Sequence, residues 1–187
     1  MARTTDAREK ALRTAEHLFR VQGYAATGLA QIIEDSGSPK GSFYFHFPGG
    51  KRQLALETLA VYRARTTAGF EALAKHAGSN SDRFVRAIAK AVADEMATST
   101  WASGCLAQNL AQELAPEDAE VADALAGLFE GWVAVIVKAF GSRATQASRR
   151  RAMALVAALE GARTLARTMR SAAPFDAVVE QFSETRR

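Results

Sequence analysis

The sequence predicts an all-α protein of about nine helices. Apolar residues recur three and four apart along most of the 187-residue chain, the spacing of one helix face. Strand-type alternation is rare. Glycine-rich breaks fall between the periodic stretches, at Gly23, Gly37, Gly78-Ser-Asn-Ser81 and Trp101-Ala-Ser-Gly104. Pro39, Pro116 and Pro174 suit first helical turns, where a missing N–H costs nothing. A chain of this length makes one compact domain or two small ones and buries a core without metal or disulfide staples. The single Cys105 excludes an internal disulfide and suits a reducing cytoplasm.

The first helix is expected from Asp6 to Gln22. Leu12, Ala15 and Phe19 share its face, Ala11 and Leu18 flank them, and Gly23 stops it. A second, short helix follows, with Thr27 as N-cap and Leu29, Ile32 and Ile33 on its buried side. Gly37 suits the left-handed residue of the next turn. Ser38 can cap a third helix that Pro39 opens, spanning about Pro39–Phe45. Phe43 and Phe47, four apart, turn inward and leave Lys40, Ser42, Tyr44 and His46 outward.

A fourth helix is expected from Gly50 to about His76, with Leu54, Thr58, Leu59, Val61 and Tyr62 inside. Helices at Asp82–Thr98 and Cys105–Leu114 come next. Glu117–Phe140 reads as a long helix, although Val133-Ala-Val-Ile-Val137 alone would pass for a strand. Thr145–Arg170 is another long helix and Phe175–Glu184 a short last one.

Two short helices joined by a glycine turn are the pattern of a helix-turn-helix, whose second helix enters the major groove. Charge agrees. From Ser38 to Arg52 there are Lys40, Lys51 and Arg52 and no acid. The net charge is +4, and +3 of it lies within residues 1–52. A basic excess concentrated at such a motif is the footprint of a nucleic-acid binder. Arg3, Arg8 and Lys10 add non-specific attraction. The division expected is a DNA-binding domain over 1–52 and a second domain over 53–187.

The order Thr27…Leu29-Ala30…Ile32…Ser36-Gly-Ser-Pro-Lys-Gly-Ser-Phe-Tyr-Phe-His-Phe47…Lys51 resembles the DNA-binding domain of the tetracycline-repressor (TetR) family. The likeness covers about Asp6–Leu54. Phe47-Pro-Gly-Gly-Lys51 has one more residue than the commoner form, and with Gly104-Cys105 it is similar to the lincomycin-resistance-repressor branch. The resemblance implies a ligand-responsive transcriptional regulator, most simply a repressor. Lys40, Ser42 and Phe45 are then expected at base edges, and Thr27, Tyr44, His46 and Lys51 at phosphates. Gly28, Ser38, Pro39 and Gly41 complete that surface.

The resemblance also implies an effector cavity among the middle helices. Phe70, Met96, Trp101, Cys105, Leu106, Asn109, Phe129, Trp132, Val133 and Ile136 are its candidates, although such residues equally make plain core. The effector is read as a small apolar or cationic molecule. Asp94, Glu95, Glu113 and Glu130 could pair with a cation, or lie solvated. Pairing of the last two long helices into a homodimer is implied as well. Leu155, Val156, Leu159, Ala162, Ala166, Phe175, Val179 and Phe182 are its interface candidates, with small Ala157, Ala158 and Gly161 beside them. The same stripes could instead pack within one chain. A homodimer fits a pseudo-palindromic double-stranded DNA operator with half-sites about one turn apart.

Other classes fare worse. His17, His46 and His76 have no metal-site spacing, and no catalytic residues, metal or cofactor are expected. Neither a membrane span nor a secretory signal is present, so the cytoplasm is expected. The alternatives are a helical protein-interaction module, which the acid-free segment argues against, and a non-inducible DNA-binding protein.

Overall fold

The computed structural model describes residues 2–141 and 145–183, with side chains from residue 6 onward. Among the described residues there are nine helices and no strand: α1 (Ala2–Gln22), α2 (Leu29–Asp35), α3 (Lys40–His46), α4 (Gly50–Ala77), α5 (Ser81–Thr98), α6 (Leu106–Glu113), α7 (Ala119–Ala139), α8 (Gln146–Met169) and α9 (Ala173–Phe182). The side chain of Arg3 and all of Glu184 lie outside the described residues. No helix among the described residues is long and apolar enough to cross a membrane.

Contacts divide the chain into two compact units, residues 1–64 with 106–125, and residues 65–105 with 126–187. The division differs from a cut after residue 52. The first unit takes in the first half of α4 and all of α6, because α6 packs on α1.

In the first unit α1 is the spine, and α2, α3 and α6 pack on it. Ala11, Leu12, Ala15, Leu18 and Phe19 are all buried, as their spacing requires. Ile32, Phe43, Phe47, Leu54, Leu59 and Tyr62 complete the core. Each of these side chains contributes about 1.5–3 kcal/mol by leaving water. Val61, expected inside, is exposed. At about 100° per residue it falls just outside the buried arc of α4, which runs from Leu54 through Thr58 and Tyr62 to Leu59.

In the second unit α8 packs on α9 and α5, and α9 packs on α5. Asn80 caps α5 by accepting the Arg83 N–H at 2.8 Å. Thr145 and Ser148 form a reciprocal capping box at the start of α8. Val133–Val137 is helical within α7, where Val133, Ile136 and Val137 share a buried face. Pro174 sits in the first turn of α9 as expected. Pro116 does not do so in α7, which starts only at Ala119.

The interface stripe read from sequence proves to be core. Leu155, Val156, Leu159, Ala162, Ala166 and Phe175 are buried within the chain, where α8 packs on α5 and α9 and α9 on α5. Val179 and Phe182 are half-buried. The exposed apolar side of α8 includes Ala157 and Gly161, the small residues named beside that stripe. It carries Met153, Ala157, Gly161, Leu165 and Met169, four apart in sequence, with Leu165 55% and Met169 59% exposed.

Candidate nucleic-acid interface

The interface is built on the turn between α2 and α3. Ser36 ends α2, and its hydroxyl donates to the Ile33 carbonyl at 3.1 Å. Gly37 has φ +62°, a left-handed conformation that glycine adopts without a Cβ clash. Ser38 does not cap α3. Its hydroxyl donates instead to the Ala7 carbonyl at 3.2 Å, tying the turn to α1, and the N-cap position falls to Pro39.

Seven residues are too few for a helix to stand alone. Packing holds α3: Phe43 and Phe47 are buried with ring centroids 5.1 Å apart. Their burial turns the opposite side outward. Lys40 and Gly41 are exposed, Ser42 is half-buried, Tyr44 is exposed, and Phe45 is 78% exposed. Its ring stands edge-on to that of His46, with centroids 5.3 Å apart, and leaves its apolar face open for a contact. His46 is half-buried with Nε2 turned away from solvent, so only part of its ring remains for a phosphate.

Thr27 is corrected on two counts. Gly28, not Thr27, is the N-cap of α2. The Thr27 side chain is fully buried and its hydroxyl donates to the Gly23 carbonyl at 2.6 Å, so it closes the α1–α2 turn and cannot face a phosphate. Ser38, buried and bonded to α1, is likewise withdrawn from direct contact.

Lys51 stands in the first turn of α4 with Nζ 4.0 Å from the centroid of the Tyr24 ring. Burial lowers its ammonium below the ordinary lysine value, and nearby Glu113 partly opposes this. Burial likewise raises the Tyr24 phenol. Arg52 donates to Asp118 at 2.6 Å and 2.9 Å and to Glu120 at 2.7 Å. Those bonds raise the guanidinium further and hold the Asp118 carboxyl below the usual carboxylate range.

The roles of several residues of the unit escaped the sequence reading. Glu113, weighed as a partner for a cation, accepts the backbone N–H groups of Tyr24 and Ala25 at 2.9 Å and 2.6 Å. Asn109, read as a pocket residue, donates to the carbonyls of Phe19 and Arg20 at 2.8 Å and 3.3 Å. These two side chains of α6 bind the end of α1 and the turn after it, and Leu106 anchors α6 in the same unit. Gln53 bonds to the end of α3. Its position in an ordinary helical stretch gave no signal, since hydrogen bonds across a turn have no periodicity.

The remaining pocket candidates lie in the second unit. Met96, Cys105, Trp132, Val133 and Ile136 are buried, and Phe70, Trp101 and Phe129 are half-buried. Phe70, Trp132 and Phe129 form one aromatic group, with centroids 5.3 Å and 5.5 Å apart, and Trp132 Nε1 donates to Thr66 Oγ1 at 3.0 Å. A surface groove of about 340 Å³ between α5 and α9 is lined by none of the ten candidates. The acids are engaged: Asp94 with Lys90, Glu95 with Arg163, and Glu130 with Arg149. Among the described residues no three His, Cys, Asp or Glu side chains gather as metal ligands would.

A family model described as the C-terminal domain of LmrA/YxaF-like transcriptional regulators matches residues 83–181, and the model of the tetR family of bacterial regulatory proteins matches residues 11–58. This chain belongs to the TetR family. Within it, the chain falls in the LmrA/YxaF-like branch. The HTH-type transcriptional regulator LmrA of Bacillus subtilis is 63% identical over 54 residues, 29% of this chain and 29% of LmrA. The HTH-type transcriptional repressor NemR of Escherichia coli is 28% identical over 138 residues, 72% of this chain and 67% of NemR. The structure of reduced NemR matches with a TM-score of 0.80 over 94% of this chain and 95% of that one. A cysteine mutant of the TetR-family regulator CifR, complexed with a 26-base-pair operator duplex, matches with a TM-score of 0.77 over 94% of both chains at 22% identity. The chain thus shares its family with DNA-binding transcriptional regulators.

Proposed function

We propose that this regulator is a repressor that binds a pseudo-palindromic operator as a homodimer and is released by a small apolar or cationic molecule. The observation that carries the DNA reading is the outward side of α3. It presents Lys40, Ser42, Tyr44 and Phe45 with no acid from Ser38 to Arg52, while Phe43 and Phe47 anchor the opposite side. Lys40, Ser42 and Phe45 read base edges, Phe45 by apolar contact with a thymine methyl. Tyr44 and Lys51 hold phosphates, with His46 beside them. NemR, a repressor by name, and CifR, seen with its operator, support the sign and the partner.

The dimer uses the exposed side of α8 from Met153 to Met169. A homodimer interface there is isologous and sets two recognition helices at one fixed separation. The effector acts beside the aromatic group of Phe70, Phe129 and Trp132. It needs to prefer the DNA-incompetent state by only about 1–3 kcal/mol to weaken binding usefully. The setting is the cytoplasm, where chromosomal DNA lies.

The test is a titration of labelled random-sequence duplex at about 50 and 200 mM salt. A family of phosphate contacts predicts a steep loss of affinity over that range. Affinity that ignores salt contradicts the reading. For the effector, a compound that changes tryptophan fluorescence must bind more weakly when operator is saturating, by the factor it weakens DNA binding.

A further inference from the structure

Gln53, in the first turn of α4, spends its side-chain amide on the end of α3. Its Oε1 accepts the Gly49 N–H at 2.8 Å, and its Nε2 donates to the His46 carbonyl at 3.2 Å and to Glu57 Oε1 at 2.7 Å. The other Glu57 oxygen accepts from Arg8 of α1. His46 is the last residue of α3, and its carbonyl is one of those that a helix end leaves without an intrahelical partner. Gly49 lies so close that a Cβ there would stand 3.0 Å from the Gln53 Cβ.

Phe43 and Phe47 decide which side of α3 is buried. Two anchors four residues apart still allow the helix to tilt about the line joining them. The Gln53 amide supplies a third fixed point at the C-terminal end. We propose that Gln53 is a positioning residue that sets the angle at which α3 meets the bases, and so governs discrimination between operator and other DNA. It does not govern attraction to phosphates. The inference rests on the DNA-binding reading above. The hydrogen-bond pattern, one acceptance and two donations, belongs to an amide. A carboxylate in its place only accepts, and it would face the His46 carbonyl and the Glu57 carboxylate.

That conflict makes the role testable by pH. In Gln53→Glu, the new carboxyl lies beside Glu57 on α4, whose other oxygen accepts from Arg8 of α1, and beside the His46 carbonyl at the end of α3. Two carboxyls at hydrogen-bond distance cannot both stay charged without cost, so the pair takes up one shared proton above the ordinary glutamate value of about 4.3. The protonated form regains an O–H donor. The variant is therefore impaired in base and repaired in acid.

The probes are the duplex that the wild-type protein selects from a random pool and a scrambled duplex of equal length. Affinities are measured at about pH 8 and about pH 5.5, each relative to wild type at the same pH, with thermal melting as the folding control. At pH 8 the operator-to-scrambled affinity ratio of Gln53→Glu should fall about tenfold, while scrambled binding stays within about twofold. At pH 5.5 most of the ratio should return. Gln53→Met, similar in size without the polar atoms, should lose the ratio at both pH values with no repair. A preserved ratio in either variant at pH 8, or equal losses on both duplexes, overturns the inference, and Gln53→Met alone decides should Gln53→Glu not fold. Failure of the wild-type chain to select any duplex removes the DNA-binding reading and this role together. Failure confined to the variants' predictions removes this role alone.

Discussion

Lys51, proposed to hold a phosphate, gains nothing for stability from its position. Its ammonium rests on the Tyr24 ring, yet burial lowers its basicity. The folded state thus holds that proton less tightly than the unfolded chain. By linkage, its titration disfavours folding below the folded value, and the penalty is relieved as pH rises through the lysine range. Lys51→Met should therefore change stability at pH 7 by no more than about 0.5 kcal/mol. The same substitution should weaken binding to every duplex alike and lower the salt slope by about one. Melting curves and titrations at several salt concentrations check both halves. An altered preference at one base position contradicts the phosphate assignment. Thr27 marks the limit of residue-level reading. A threonine before a helix looks the same in sequence whether its hydroxyl caps the helix or, as here, bonds back to Gly23.

At the scale of elements, the connection from α5 to α6 holds two of the three left-handed non-glycine residues among the described residues, Arg170 at the end of α8 being the third. Thr100 and Trp101 have φ of 50° and 65°, left-handed values that side chains other than glycine, asparagine and aspartate rarely adopt. Backbone bonds hold them there, from the Thr100 N–H to Ala97 at 2.9 Å and from the Trp101 N–H to Met96 at 2.7 Å. Thr100→Asn should relieve about 1 kcal/mol and raise the melting temperature by about 2–4 °C. An unchanged or lower melting temperature would show that the turn stores no strain at this position. The helices themselves were legible, because period 3.6 and the glycine and proline breaks are local signals. Val133–Val137, ambiguous alone, was resolved by the longer pattern around it. The face that α8 presents was not legible. Leu155, Val156, Leu159 and Ala162 make an apolar stripe, and only the positions of α5 and α9 reveal that the stripe is already covered. The α6 side chains Asn109 and Glu113 were missed because the backbone groups they bind lie about 90 residues away.

For the whole molecule, the proposed function requires two recognition helices at a fixed spacing, and the exposed side of α8 is the surface proposed to set it. A Cβ at Gly161 would meet nothing within 4 Å, so a substitution there leaves the single chain unstrained. Gly161→Asp should keep the helical content and melting of the isolated chain, while burying an unpaired carboxylate in any partner interface. Light scattering at micromolar concentration should find a dimer for wild type and a monomer for the variant, with operator affinity falling by more than tenfold. A dimer that survives the substitution moves the interface elsewhere. The most direct measurement is selection of bound duplexes from a random pool, followed by sequencing. The predicted result is an inverted repeat whose half-sites lie about one helical turn apart. Enrichment of a single unrepeated site, or of no sequence at all, contradicts the account.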